Sequence, residues 1–558
     1  MDWLLPLAGV YGCTLLLAAL FCLVGTALVP RQFADPAGGG ALLLARAFPV
    51  GLSAFLASFV LLAHLLGRAR LALAIVLLAA GVVVFVRRRS ILEAGSRRSL
   101  ILTLAATLAL LVAFSVMPLM LWTNWASPPN AWNHFGSIHS GRYANYSLLI
   151  AQHDRVPYVA QNMAQSLLAA LHLLLGVHAP LAALMSWLVV TLVALTLLVF
   201  GTMRAHGLSR AMSAAGTFFV LSCNVALSSD HIMVLDNGSP LAFIGYTDLV
   251  LAIDTFLVLL AWLERAWREN LRGSWVLGLP ALFVCTWFWY APQNLVASCA
   301  AVAGVALAAR RGLPRRVAWK PIVVLMAAAL VGATQLGPFL PGVLREDPGT
   351  LIVRPETGVT VRPYVLYVTS HWSNFHWNVE LRDGSDPLGL GGHYDVLWSR
   401  TAPQGRTATV MATASEVLAQ FAASLRIYFF PLLGLVLMWR LPRPYFAAAT
   451  ATFAAGYAIS FGLELGGIKW WLARFLAPGI AVALLGGFIA GATLAARRRD
   501  WAARVALALA VVAGGFGPAR ELTWRVRANL ALGTLDQRLR PLMQARGPFE
   551  DERRAAPK

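Results

Sequence analysis

Apolar stretches of membrane-spanning length recur along this chain, separated by short polar breaks. They run at about 3–29, 40–66, 70–86 and 99–122. After a polar stretch at 123–178 they resume at about 179–201, 211–229, 240–263, 274–291, 292–309 and 320–343. A second polar stretch covers 344–415, and the last runs fall at about 416–438, 444–463, 471–495 and 501–518. A helix rising through a bilayer core needs about 20 such residues. The pattern therefore predicts an all-α polytopic membrane protein with about 14 transmembrane helices. A hairpin is expected near Arg68 and Arg70, where only 67–69 separate two runs. The chain divides into N-terminal membrane helices (1–98), a transmembrane core (99–343) with the loop 123–178, a second polar segment (344–415), C-terminal membrane helices (416–518) and a basic tail (519–558).

Composition agrees: 59% of residues are hydrophobic and 13% charged, about half the charged share of a soluble domain. The net charge of +20 would suggest nucleic acid on a soluble chain, but here its distribution gives another reading. Arg87-Arg88-Arg89, Arg310-Arg311, Arg315-Arg316 and Arg497-Arg498-Arg499 fall in the short breaks, the positive-inside pattern of membrane proteins. The breaks 87–98, 202–210, 264–273, 310–319, 439–443 and 496–504 are thus expected in the cytoplasm, and 123–178 and 344–415 both on the opposite face. The basic tail runs against this count, which puts it outside. All five cysteines lie within apolar runs and read as small core residues. Met1-Asp2-Trp3 lacks a basic leader, so the first run is expected to stay as a membrane helix. Ala/Arg/Leu-rich usage points to a bacterial source and an inner membrane.

The loop 123–178 is dense in Asn, His, Arg and Tyr, including His134, His139, Arg142, Tyr143, Asn145 and Asn162. Within it, Arg142-Tyr143-Ala144 is followed by a short amphipathic stretch and then by Asp154-Arg155-Val156-Pro157. The run Ser166–Gly176 is too short to span and is expected to lie in the interface or re-enter. The order Arg-Tyr-Ala, short helix, Asp-x-x-Pro resembles the first extracytoplasmic loop of the GT-C superfamily. These are polytopic glycosyltransferases that use polyprenyl-phosphate-linked sugars, and the likeness is to the lipid A aminoarabinose transferase and protein mannosyltransferase branch. Trp470-Trp471 through Arg474-Phe475 and Pro478 is similar to the Arg-Phe-x-x-Pro helix start found in several such proteins. The resemblance implies a GT-C-like fold whose two extracytoplasmic segments contain interfacial helices. It also implies an acidic base three residues before the Arg of Arg-Tyr-Ala. This chain departs there, since His139 holds that position and Ser140 the next. A base must take the acceptor's proton as the phosphate leaves. Histidine is able to do so, as is a carboxylate from Asp154, Asp230 or Asp248. In the family the residue matching Asp154 holds the turn together.

Other residues join the candidate list by their chemistry. Arg142, Lys469 and Arg474 sit near the expected outer face, where cations suit a lipid-linked phosphate. Asp230 and His231 stand in a short polar loop; Asp248 and Asp254 fall within an apolar run, where a carboxylate is costly and marks function by default. Arg426 lies within another run, as partner to those carboxylates or as a phosphate ligand. The second segment interleaves His371, Trp372, His376, Trp377 and His393 with Asn and Asp, a mixture suited both to a pyranose ring and to a membrane interface. These histidines offer ligands for a divalent metal, but no compact metal motif accompanies them, and no nucleotide-binding motif occurs. No cofactor is therefore expected.

The reading is a glycosyltransferase that moves a sugar from a polyprenyl-phosphate donor to a glycan, lipid or protein acceptor. His139, Asp154 or Asp230 would be catalytic; Arg142, Lys469, Arg474 and Arg426 would hold the phosphate. His134, Tyr143, Asn145, Asn162, Asp248, His371, His376 and His393 would line the substrate site. A transporter or flippase is the alternative from a different class, and an inactive GT-C-like scaffold is a third.

Overall fold

The computed structural model describes residues 4–28, 39–92, 104–113, 147–148, 150–156, 162–176, 179–223, 253–262, 264, 359–361, 379–381, 425–439, 443–465, 472–498, 501 and 504–513. Its principal helices are α1 (Leu4–Leu28), α2 (Gly39–Leu66), α3 (Ala69–Leu92), α4 (Asn162–Leu175), α5 (Pro180–Ala205), α6 (Arg210–Cys223), α7 (Leu425–Met438), α8 (Arg443–Leu465) and α9 (Leu472–Arg498). Shorter apolar helical pieces cover Leu104–Ala113, Ile253–Trp262 and Arg504–Ala513. Among the described residues, five helices are long and apolar enough to cross a membrane: Leu5–Leu28, Leu42–Leu66, Ala69–Arg89, Ala182–Ala205 and Pro478–Ala496.

These sequences become helices because a continuous Leu/Ala/Val run satisfies its own backbone, which hydrocarbon cannot do for it. Pro49, Pro431 and Pro478 lie inside α2, α7 and α9, a position membrane helices tolerate. Pro180 opens α5, where its missing N–H is no loss. The hairpin between α2 and α3, expected from Arg68 and Arg70, is a tight turn at Gly67, whose φ of +63° favours glycine.

Small residues set the closest approaches. A Cβ on Gly25 would run into the Ala47 carbonyl, and one on Gly51 into that of Phe21, so α1 and α2 cross backbone to backbone. Gly434 of α7 meets Ala483 and Gly487 of α9 in the same way. Aromatics fill the space around these crossings. Phe21 packs against Phe55 at 4.8 Å and stacks on Trp187 at 5.8 Å between centroids, joining α1, α2 and α5. Phe219 sits 5.3 Å from Phe430 and 5.6 Å from Phe488, joining α6, α7 and α9. α5 is buried along most of its length and α3 on one side only. On α3, Leu71, Ile75, Leu78, Val82 and Phe85 form an exposed stripe at helical spacing, the surface offered to lipid.

The contacts sort the helix ends into two sets. Gly201 of α5 packs on Leu42 of α2, so these helices run antiparallel. His206, just past α5, lies 3.8 Å from Glu264 and 3.4 Å from the Tyr445 hydroxyl in the first turn of α8. One end of the bundle thus gathers the start of α2, the Arg87–Arg89 end of α3, the end of α5, Glu264, the start of α8 and the Arg498 end of α9. Described parts of the basic breaks 87–98, 202–210, 264–273, 439–443 and 496–504 therefore share one end. Trp439 and Trp501 are exposed there, as aromatic residues at a membrane interface are. The opposite end carries the α2–α3 turn, the start of α5, and the starts of α7 and α9.

The all-α expectation meets one addition. Val359–Val361 and Val379–Leu381 pair antiparallel, with Thr360 opposite Glu380, inside the second polar segment. The chain between these strands contains His371 and His376.

Candidate functional site

Asp154 is the candidate whose surroundings are most fully defined. It follows short helical pieces at 147–148 and 150–153 and adopts φ +54°, a left-handed conformation that Asp tolerates better than most residues. Its carbonyl accepts the Ala69 N–H at 2.8 Å, and its Oδ1 accepts the Arg70 N–H at 2.6 Å. Both donors belong to the first turn of α3 and have no partner within that helix. A residue from the polar loop therefore caps a helix far from it in sequence, and its negative charge also faces the favourable end of the helix dipole. This fixes 147–156 against the α2–α3 turn, at the end of the bundle opposite Arg87–Arg89.

The next element, α4, is enclosed through its middle. Every residue from Gln165 to His172 is 3% exposed or less. A helix stretch covered on all sides is embedded in protein, whereas Leu174 near the end of α4 is 42% exposed. α4 packs on α1, α2 and α5. His172 Nε2 and Ser147 Oγ are 3.2 Å apart, tying α4 to the stretch that carries Asp154. Gln165 and His172 are seven residues apart on α4 and so share a face. Both ends of the Gln165 amide, and the Ser166 hydroxyl, lack hydrogen-bond partners. By contrast, Thr14, Thr191, Thr202, Thr217 and Thr452 return their hydroxyls to their own helix carbonyls.

Arg426 stands in the first turn of α7 and Arg474 in the first turn of α9. α7 and α9 run parallel, and Met438 of α7 meets Gly486 of α9. Each arginine lies about 18 Å before that contact at the helical rise of about 1.5 Å per residue. The two backbone positions are thus level, toward the end of the bundle where Asp154 sits. Asn162 opens α4.

His134, His139, Arg142, Tyr143, Asn145, Asp230, Asp248, His371, His376, His393 and Lys469 lie outside the described residues. Among the described residues no three His, Cys, Asp or Glu side chains gather as a metal site. Sequence reasoning passed over Ser147, Ser166 and His172, although a histidine within the apolar run of α4 was a signal for a buried polar contact. It also passed over Arg46, buried in α2. Asp254, in contrast, stood out as a carboxylate in an apolar run and is fully buried.

Compared with known proteins, the chain matches no family model and no curated sequence.

Proposed function

We propose that this protein is a membrane glycosyltransferase of GT-C type, transferring a sugar from a polyprenyl-phosphate carrier to an acceptor at the extracytoplasmic face. The observation that carries this reading is the placement of Asp154. Asp154, the first residue of the Asp-x-x-Pro that in the GT-C loop follows Arg-Tyr-Ala, is pinned to the end of the bundle where α7 and α9 begin with Arg426 and Arg474. Residues chosen from three distant parts of the sequence thus converge on one end, opposite the basic breaks. The positive-inside rule makes that end extracytoplasmic, and a bacterial inner membrane places it in the periplasm.

In this mechanism Arg142, Lys469, Arg474 and Arg426 hold the donor phosphate and offset the charge that grows on it as it leaves. A base removes the acceptor O–H proton. The acceptor oxygen attacks the anomeric carbon, the bond from that carbon to the phosphate oxygen breaks, and polyprenyl phosphate departs. Asp154 already accepts two backbone N–H groups through its carbonyl and Oδ1, so we assign it to positioning the loop. Deprotonation then falls to His139, or to a carboxylate from Asp230 or Asp248. Asn162, Tyr143, Asn145, His134, His371, His376 and His393 contribute to substrate binding. The architecture proposed is about 14 spans, with no cofactor. Sugar transfer by the purified protein from polyprenyl-phosphate donors, compared with His139→Ala, tests the reading.

A transporter of a lipid-linked or polar substrate is the second reading. It is favoured by Asp254, a buried carboxylate without a hydrogen-bond partner inside an apolar helix.

A further inference from the structure

The exposed stripe on α3 runs directly into positive charge. Leu71, Ile75, Leu78, Val82 and Phe85 recur at helical spacing. Arg89 follows Leu71 by about five turns at 3.6 residues per turn, so it continues the same face. Arg88 stands next to it, its guanidinium 4.4 Å from the centre of the Phe85 ring, and that ring is 65% exposed. The cation is thus held against an apolar side chain that itself faces lipid. Arg87, Arg88 and Arg89 are exposed, and among the described residues none of them has a carboxylate partner. The break they open, 87–98, holds five arginines and a single acidic residue, Glu93.

A helix face exposed within a bilayer is covered by lipid, and these residues select among lipids. A zwitterionic headgroup brings a cation of its own against the arginines. An anionic headgroup brings only phosphate oxygens, which accept charge-assisted hydrogen bonds from guanidinium N–H groups. A soluble acidic partner would meet the arginines and leave Val82 and Phe85 without a contact. We propose that this end of α3 is a binding site for an anionic phospholipid, its phosphate on Arg88 and Arg89 and an acyl chain along Phe85, Val82 and Leu78. Phe85 and Arg88, in contact with each other, meet the ligand where its chain joins its headgroup. This end of α3 is the one that gathers the basic breaks, which the positive-inside rule assigns to the cytoplasmic leaflet. The site lies at the end of the bundle opposite Asp154 and does not rest on sugar transfer.

Native mass spectrometry of the purified full-length protein tests this, with phosphatidylglycerol or phosphatidylcholine of identical chains added to the detergent. Phosphatidylglycerol is expected to be retained at the lower concentration. Arg88→Gln and Arg89→Gln together should weaken its retention by about fivefold for each arginine, the scale of one basic residue at an anionic surface, and leave phosphatidylcholine unchanged. Arg68→Gln, which removes an exposed arginine at the other end of the hairpin, should leave phosphatidylglycerol unchanged. A phosphatidylglycerol with a photoreactive acyl chain gives a second readout that needs no variant, and its adducts in the wild type are expected within 78–89. Equal retention of the two lipids, a double variant that holds phosphatidylglycerol as the wild type does, or adducts that avoid α3 overturn the proposal. So does competition by glycerol phosphate as strong as that of the lipid, which would make this a site for free phosphate. Displacement of the lipid by an equal concentration of an acidic peptide would make the occupant a protein and overturns it too.

Discussion

The Asp154 side chain and the Arg70 backbone, 84 residues apart in sequence, meet at 2.6 Å. That bond ties the polar loop to the first turn of α3, and through the α2–α3 turn to α2. Replacing Asp154 by Ala removes the cap and leaves a β-carbon in a left-handed conformation. The expected cost is about 1–3 kcal/mol in unfolding free energy, from the cap and the strained backbone together. Asp154→Asn tolerates the same φ and retains an acceptor, so it is expected to lose less than about 1 kcal/mol. Unfolding in mild detergent measures both. Equal losses for Ala and Asn would contradict the capping role.

The α1–α2 crossing depends on glycine at 51. Gly51→Val is expected to destabilise by about 1–3 kcal/mol or more, because the obstruction is the Phe21 backbone rather than a side chain able to turn away. Gly12 of α1 has open space beside it. Gly12→Ala is therefore expected to be neutral or to gain up to about 1 kcal/mol from helix propensity. Thermal unfolding of the two variants checks the contrast.

Thr14 and Ser186 share a buried hydrogen bond of 2.8 Å between α1 and α5. Each hydroxyl has one proton and a carbonyl acceptor within its own helix, Val10 for Thr14 and Ala183 for Ser186, so whichever hydroxyl donates across gives up its local bond. A double-mutant cycle of Thr14→Val and Ser186→Ala is expected to give a coupling of only about 0.6 kcal/mol, the usual scale between membrane helices. A coupling above about 2 kcal/mol would mean the two hydroxyls belong to a larger network.

Sidedness follows from the two sets of helix ends. Single cysteines at Arg68 and Arg155, both exposed, are expected to react with a membrane-impermeant thiol reagent from one side of intact cells or vesicles. Cysteines at Arg88 and Ser209, also exposed, are expected to react only from the other. Mixed labelling within either pair would break the antiparallel arrangement of α2, α3 and α5.

Much of the architecture was legible because a bilayer writes itself into sequence as long apolar runs. The runs at 3–29, 40–66, 70–86 and 179–201 closely match α1, α2, α3 and α5. The grouping of basic breaks at one end was legible because charge is excluded from the hydrocarbon. What was not legible is tertiary. Composition allowed α4 to be interfacial, since its 14 residues are too few to span; only the packing of α1, α2 and α5 around it encloses 165–172. Asp154 was recognisable as a special position from its motif, yet its partner lies in a helix whose own sequence gives no sign of needing a cap. The strand pairing of 359–361 with 379–381 is a contact between short, distant segments that no local period announces. Asp254 was visible as an anomaly, but its lack of a partner is a property of three-dimensional packing.

The central claim is sugar transfer, and it is tested most directly with purified protein in lipid supplied with radiolabelled polyprenyl-phosphate sugars and candidate acceptors. Transfer by the wild type is expected. His139→Ala should reduce kcat by about 100-fold or more, the scale of a lost general base, while donor binding is retained. Asp154→Asn should keep most of the activity, since its role is to hold the loop. The same substitutions at Asp230 and Asp248 identify the base if His139 is not it. No transfer from any donor, together with movement of a lipid or solute across the vesicle membrane, would contradict the enzyme and establish the transporter in its place.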